Sequence, residues 1–199
     1  MKLSTQQFDF LTEIVNIGIG RSANVLNKIV KNRVQLKVPS ILLLKVDDLK
    51  QLVGHDDSVE LSVISMGFTG DLLGSVALVF SSANAIKMVD LLTENNYEKL
   101  EMDQLRTSTL NEVGNIVLNS LIGTLGNLLK TRFRYSIPQF KECLAKDLLA
   151  NTGSLPEYFI YAETQFKIKD NNIEGSFMLF FEVGSFDTFI EKLEKFSVQ

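Results

Sequence analysis

Residues 9–16 read Asp9-Phe10-Leu11-Thr12-Glu13-Ile14-Val15-Asn16, and residues 108–115 read Ser108-Thr109-Leu110-Asn111-Glu112-Val113-Gly114-Asn115. The two stretches lie 99 positions apart, and their match continues well past them. Leu26 falls on Leu125, Lys31 on Lys130, Arg33 on Arg132, Pro39 on Pro138, and Asp48-Leu49 on Asp147-Leu148. Gly74-Ser75 then falls on Gly175-Ser176 at a spacing of 101, which reads as a two-residue loop insertion. Of only three prolines in the chain, two stand at equivalent places, so chance is a poor account. The reading is a duplicated and fused unit of about 100 residues, an ordinary domain-scale length. Its repeats run over about 1–99 and 100–199, and together they make one domain across residues 1–199.

Each half opens with a long helix, expected over residues 5–31 and 104–131. In the first, Phe8, Leu11, Val15, Gly18, Ser22, Leu26 and Ile29 follow the three-four spacing of one buried stripe. Strand-length runs rich in Val, Ile, Leu and Phe come next, at 34–38, 41–46, 59–66 and 75–80. Gly70-Asp71 and Asp170-Asn171-Asn172 read as the matching hairpin turns. A second helix closes each half, over 83–92 and 185–196. Helices succeeded by strands on short turns predict an α+β fold with an antiparallel sheet. The two halves would form one pseudo-two-fold sheet flanked by helices, the two long helices lying at the surface.

On a helical wheel, Glu13 lies about 40° from Asp9 and Asn16 about 20° to its other side, roughly 140° from the apolar stripe. The trio therefore faces solvent, and packing does not demand it. Gly20, Ala23 and Asn27 continue the same outer face. Glycine in a helix interior costs about 1 kcal/mol against alanine, so Gly18 and Gly20 point to a packing or contact requirement. In the second half Ser108, Glu112 and Asn115 take the same angles, with Asn119 and Gly126 beyond them. An exposed Glu and Asn are usually nothing more than a solvated helix face. Asparagine is a mediocre helix former, however, and its recurrence one turn from a glutamate in both halves makes the pair a candidate site.

Other chemistry finds little support. A net charge of −4 gives no footprint for nucleic acid. No apolar run is long enough to span a bilayer, and the N-terminus lacks the apolar core of an export signal. One cysteine, Cys143, fits a reducing cytoplasm and reads as packing. The single histidine, His55, stands in a polar loop beside Asp56 and Asp57, so triads and multi-histidine metal sites are excluded. Asp47-Asp48 has no metal-ligand spacing, and no metal site is expected. Lys28, Lys31, Arg33 and Lys37 read as a solvated helix end favoured by the helix dipole.

The pattern Asp or Ser, three residues, Glu, two residues, Asn, twenty-two residues and Pro resembles the CheC/CheX/FliY phosphatase family. Asp9, Glu13, Asn16 and Pro39 match it without a gap, and Ser108, Glu112, Asn115 and Pro138 match it again. The resemblance covers essentially the whole chain. Two copies, with no flagellar switch domain after them, are similar to the CheC branch. Val15 departs from the pattern where a smaller residue is common; it points to the core, so a packing adjustment is expected. The second half lacks the Gly-x-Gly of Gly18 and Gly20.

The resemblance implies hydrolysis of the phospho-aspartate of a CheY-type response regulator in chemotaxis. Asn16 and Asn115 would orient the water, and Glu13 and Glu112 would dock on the regulator's active-site lysine. Asp9 and Ser108 would support the helix or touch the partner, and Gly20 would let it approach. Pro39 and Pro138 are expected to shape turns. No cofactor of its own is implied, Mg²⁺ coming with the regulator. A CheD deamidase is a further expected partner, and the expected protein is a cytoplasmic monomer. Two alternatives stand beside this: a non-catalytic module of the same fold binding phosphorylated CheY or CheD, and a phosphatase serving another two-component pathway.

Overall fold

The computed structural model describes residues 3–29, 33–48, 58–93, 102–148, 158–182 and 184–197. The first helix, α1 (Thr5–Ile29), begins at a capping box. The Ser4 hydroxyl accepts from the Gln7 backbone N–H at 3.2 Å, and the Gln7 side-chain oxygen accepts from the Ser4 N–H at 2.7 Å. Two donors that a helix start leaves without partners are thereby satisfied. The Gln7 amide also donates to Glu194 at 3.0 Å, which anchors this end of α1. The buried stripe of α1 comprises Leu11, Ile14, Val15, Gly18, Ile19, Ser22 and Leu26. Ile29, expected to close that stripe, is exposed.

Strands β1 (Val34–Lys37) and β2 (Ile41–Lys45) lead into a short 3-10 turn, Val46–Asp48. The hairpin β3 (Glu60–Gly70) and β4 (Gly74–Ser81) comes next, then α2 (Ser82–Thr93). The second half repeats this order. It runs α3 (Met102–Leu128), β5 (Phe133–Tyr135), β6 (Gln139–Leu144), a 3-10 turn Ala145–Asp147, β7 (Tyr158–Ile168), β8 (Asn171–Phe181) and α4 (Ser185–Ser197).

The eight described strands form one antiparallel sheet, in the order β1-β7-β8-β4-β3-β5. β2 joins β1 along the outer edge of β7, and β6 joins β5 along that of β3. The leading strands of each half thus pair with the hairpin of the other half, so neither half can complete its sheet alone. Exchanging β1 to β4 with β5 to β8 leaves every strand pairing in place. Val38-Pro39-Ser40 separates β1 from β2, and Ser136-Ile137-Pro138 separates β5 from β6. Proline has no N–H for the ladder and biases its predecessor to extended geometry, so each edge breaks there without reversing.

Side-chain alternation gives the sheet two apolar faces. Ile64, Met66, Phe68, Leu78, Phe80 and Phe177 meet buried residues of the four described helices. Leu61, Val63, Ala77, Val79, Phe159, Met178 and Phe180 form a smaller cluster on the opposite face, with Val46 from the first 3-10 turn and Leu148 just after the second. The helices α1 and α3 pack antiparallel across the first face. Gly18 approaches Leu121 so closely that a Cβ there would stand 3.0 Å from the Leu121 Cα. Ser22 Oγ donates to the Gly18 carbonyl at 2.9 Å and reaches the Val117 carbonyl at 3.4 Å. These two contacts exchange when the halves are interchanged, because Gly18 corresponds to Val117 and Ser22 to Leu121.

The structure corrects the sequence alignment in three places. Leu36 pairs with Phe166 and its counterpart Tyr135 pairs with Phe68, so Phe68 corresponds to Phe166. Within the hairpins Phe68 faces Gly74 and Phe166 faces Ile173, so Gly74 corresponds to Ile173 and not to Gly175. The Gly-Ser match at 101 is out of register by two residues. A shift of two keeps every side chain on the same face, which is why hydrophobicity alone does not expose it. The second hairpin turns at Lys169-Asp170, with Lys169 at φ 56, while Asn171 and Asn172 already belong to β8. Third, Gly126 leaves the outer face, while Asn27 stays exposed there. Asn27 clasps the backbone of Val34 through two bonds of 2.5 and 2.8 Å, and Gly126 is buried against Thr131 and Phe133.

Candidate functional site

On α1, Asp9, Glu13, Asn16 and Gly20 are exposed while the opposite stripe is buried. The sequence wheel therefore holds residue by residue for the first motif. Neither the Glu13 carboxylate nor the Asn16 carboxamide makes an ion pair or side-chain hydrogen bond among the described residues. A Cβ added at Gly20 would meet nothing within 4 Å, so the helix surface one turn beyond Asn16 is bare. The arrangement offers an acid and a bifunctional amide side by side, both free to engage another molecule.

On α3, Ser108 and Glu112 are exposed, but Asn115 is half-buried. The Ser108 hydroxyl donates to the Leu105 carbonyl at 3.0 Å, a contact within its own helix. Glu112 makes no ion pair among the described residues. Asn115 differs from Asn16: its Oδ1 accepts from Asn119 Nδ2 at 2.6 Å, one turn on. Asn119 occupies the place of Gly20 in the first half.

Because α1 and α3 run antiparallel, with Gly18 at Leu121 and Ser22 at Val117, their crossing centres near Gly20 and Asn119. Glu13 and Glu112 each lie seven residues before that centre, so the two motifs extend to opposite sides of it by about 10 Å along each helix. The structure brings each motif together locally and keeps the two motifs apart. Pro39 is exposed in the break between β1 and β2, while Pro138 is buried in its counterpart. His55 lies outside the described residues. Among the described residues no group of three His, Cys, Asp or Glu side chains could hold a metal ion. No helix among them is long and apolar enough to cross a membrane.

Two features of the α3 platform leave no local mark in the sequence. Arg106 binds Glu142 on β6 at 3.0 Å and ties the start of α3 to the sheet edge. Only the chain path could have revealed that pair, since 36 residues separate its members. Gly114, just before Asn115, presses on the sheet: a Cβ there would stand 2.2 Å from Ile64 Cγ2. The first half has Val15 at that helix position, buried as expected, and Ala162 in the strand place equivalent to Ile64. Bulk has moved from strand to helix.

The fold is shared by several chemotaxis and flagellar proteins. FliY of Thermotoga maritima superposes with a TM-score of 0.76 at 23% identity, covering 98% of this chain and all of that one. The FliM middle domain of H. pylori gives 0.62 at 14% identity over 96% and 99%. CheX in the CheX-CheY-BeF3-Mg complex of Borrelia burgdorferi gives 0.52 at 18% identity over 84% and 97%. These likenesses establish the fold. No protein-family model matches the chain. In sequence it is 31% identical to the CheY-P phosphatase CheC of Bacillus subtilis over 140 residues, 69% of this chain and 66% of that protein. The chain belongs to the CheC/CheX/FliY family of chemotaxis proteins.

Proposed function

We propose that this protein hydrolyses the phospho-aspartate of a CheY-type response regulator at the two helix motifs. The observation that carries the reading is the pair Glu13 and Asn16, exposed on one helix face without internal partners and repeated as Glu112 and Asn115. Similarity to a CheY-P phosphatase and a fold shared with CheX solved in complex with CheY support the same assignment.

An aspartyl phosphate is labile, and response regulators carry a Mg²⁺ ion and a lysine against the phosphoryl oxygens, so this protein needs no cofactor of its own. What it adds is geometry. Asn16 and Asn115 hold a water in line with the phosphorus–oxygen bond, the carboxamide donating and accepting without acting as a strong base. Glu13 and Glu112 pair with the regulator's lysine and set the register of docking. Asp9 and Ser108 border the contact, and the bare helix surface at Gly20 lets the regulator approach. We place the protein in the cytoplasm as a monomer, with a CheD deamidase as a further partner. The duplication and fusion of one unit accounts for the sequence match, and strand pairings that survive exchange of the halves support it.

The test is phosphate release from a phosphorylated CheY-type regulator. Wild type accelerates it, Asn16→Ala and Asn115→Ala each lower the rate, and the double variant abolishes the acceleration. Full activity in the double variant would refute the assignment. The fold shared with the FliM middle domain favours a second reading, a module that holds the regulator without hydrolysing it. Binding by wild type with no acceleration of hydrolysis would establish that alternative.

A further inference from the structure

The two motifs match in sequence but differ in the state of their asparagine. Asn16 projects from α1 with its carboxamide unengaged and bare surface at Gly20 beyond it. Asn115 is half-buried, and its Oδ1 is bound at 2.6 Å by Asn119, which replaces that glycine. The Asn119 head is itself tucked in: its Oδ1 is buried and finds no donor among the described residues.

We propose that Asn119 restrains Asn115 and makes the α3 site the weaker of the two, leaving Glu13 and Asn16 to carry most of the turnover. This rests on the phosphatase reading above and goes beyond it by ranking the sites. A side-chain oxygen has two acceptor positions, and Asn119 occupies one of them at Asn115. The same bond draws the carboxamide toward the C-terminal end of α3, away from Glu112, which lies on the N-terminal side. A water gripped by Asn115 must therefore compete with an internal donor, or the bond must break as the regulator docks. On α1 no such donor exists among the described residues, and Asn16 can turn fully toward the partner. Asn119 also adds bulk at the helix position where the first site is bare.

The experiment measures steady-state phosphate release from a phosphorylated CheY-type regulator with single-site proteins. Asn115→Ala leaves only the α1 site and is expected to keep most of the wild-type rate. Asn16→Ala leaves only the α3 site and is expected to be several-fold slower. Adding Asn119→Ala to Asn16→Ala is expected to raise kcat about fivefold, the worth of one net hydrogen bond, because the restraint acts on the water-holding group. Alanine is a better helix former than asparagine, so loss of folding cannot mimic the result. The reciprocal variant, Gly20→Asn with Asn115→Ala, is expected to lower kcat at the α1 site by more than Gly20→Ala in its place, which adds bulk but no donor.

Equal rates for the two single-site proteins, or a slower α3 site after Asn119→Ala, would overturn the restraint while leaving the phosphatase reading intact. Failure of every variant and of wild type to accelerate hydrolysis would overturn both.

Discussion

Gly114→Ala tests the close approach of α3 to β3. The added Cβ would lie 2.2 Å from Ile64 Cγ2 and 2.9 Å from Ile64 Cβ, far inside van der Waals contact. Ile64 cannot swing aside. It is fully buried and β-branched, and its strand is paired on both sides, with Leu78 opposite in β4 and Phe140 in β6. Overpacking of this kind costs about 1–3 kcal/mol, and such a short contact belongs at the upper end. Against it stands the gain of about 1 kcal/mol for replacing a helical glycine by alanine. The net expectation is a loss of about 2 kcal/mol. For a domain of this size that is a fall in Tm of about 4–8 °C. Gly123→Ala on the same helix is the matched control, since a Cβ there meets nothing within 4 Å. It is expected to raise Tm by about 2–4 °C. Thermal unfolding monitored by far-ultraviolet circular dichroism measures both. If Gly114→Ala proves as stable as Gly123→Ala, the close approach of α3 to β3 is wrong. The functional corollary is that lifting α3 at residue 114 moves its neighbour Asn115, so the α3 site loses activity even at temperatures where the variant is folded.

Other outcomes are expected from single groups. Asn27→Ala removes two bonds to the Val34 backbone and is expected to cost about 1–2 kcal/mol in urea unfolding; an unchanged midpoint would show that β1 is seated without it. Burial pushes the Cys143 thiol above its ordinary value, with the nearby Asp147 adding to the rise and Lys141 opposing it. Because the thiolate is the reactive form, alkylation by iodoacetamide at pH 8 should be slower than for a free thiol, even before restricted access is considered. The neutral thiol is the form the fold favours, so its contribution to stability is full below the ordinary thiol pKa and lost as pH rises through the elevated folded one. Alkylation as fast as a small-molecule thiol would contradict the burial. The stepwise loss from Asn16→Ala to Asn16→Ala with Asn115→Ala in phosphate release, and the gain from Asn119→Ala, test the site itself.

Helical period alone assigns residues to faces, so the long helices, most of their buried stripe and the outward placement of Asp9, Glu13 and Asn16 are legible in the residues themselves. Pro39 and Pro138 read as turn residues in the sequence, whereas each marks a break across which the chain continues along the same neighbouring strand. That the halves trade edge strands is visible only in the folded chain, because pairing of β1 and β2 with β7 joins residues more than a hundred positions apart and leaves no local trace. The same holds for Gly114. A helix of any composition could carry a glycine there, and only the height of Ile64 beneath it makes the glycine necessary. Asn27 shows the limit of a wheel, which gives direction from one helix but is blind to the chain that packs against it; the start of β1 folds back onto that face. The difference between the two motifs is of this kind as well. Asn16 and Asn115 are identical in the pattern, and a hydrogen bond from Asn119, formed only when the side chain folds back along its helix, sets them apart.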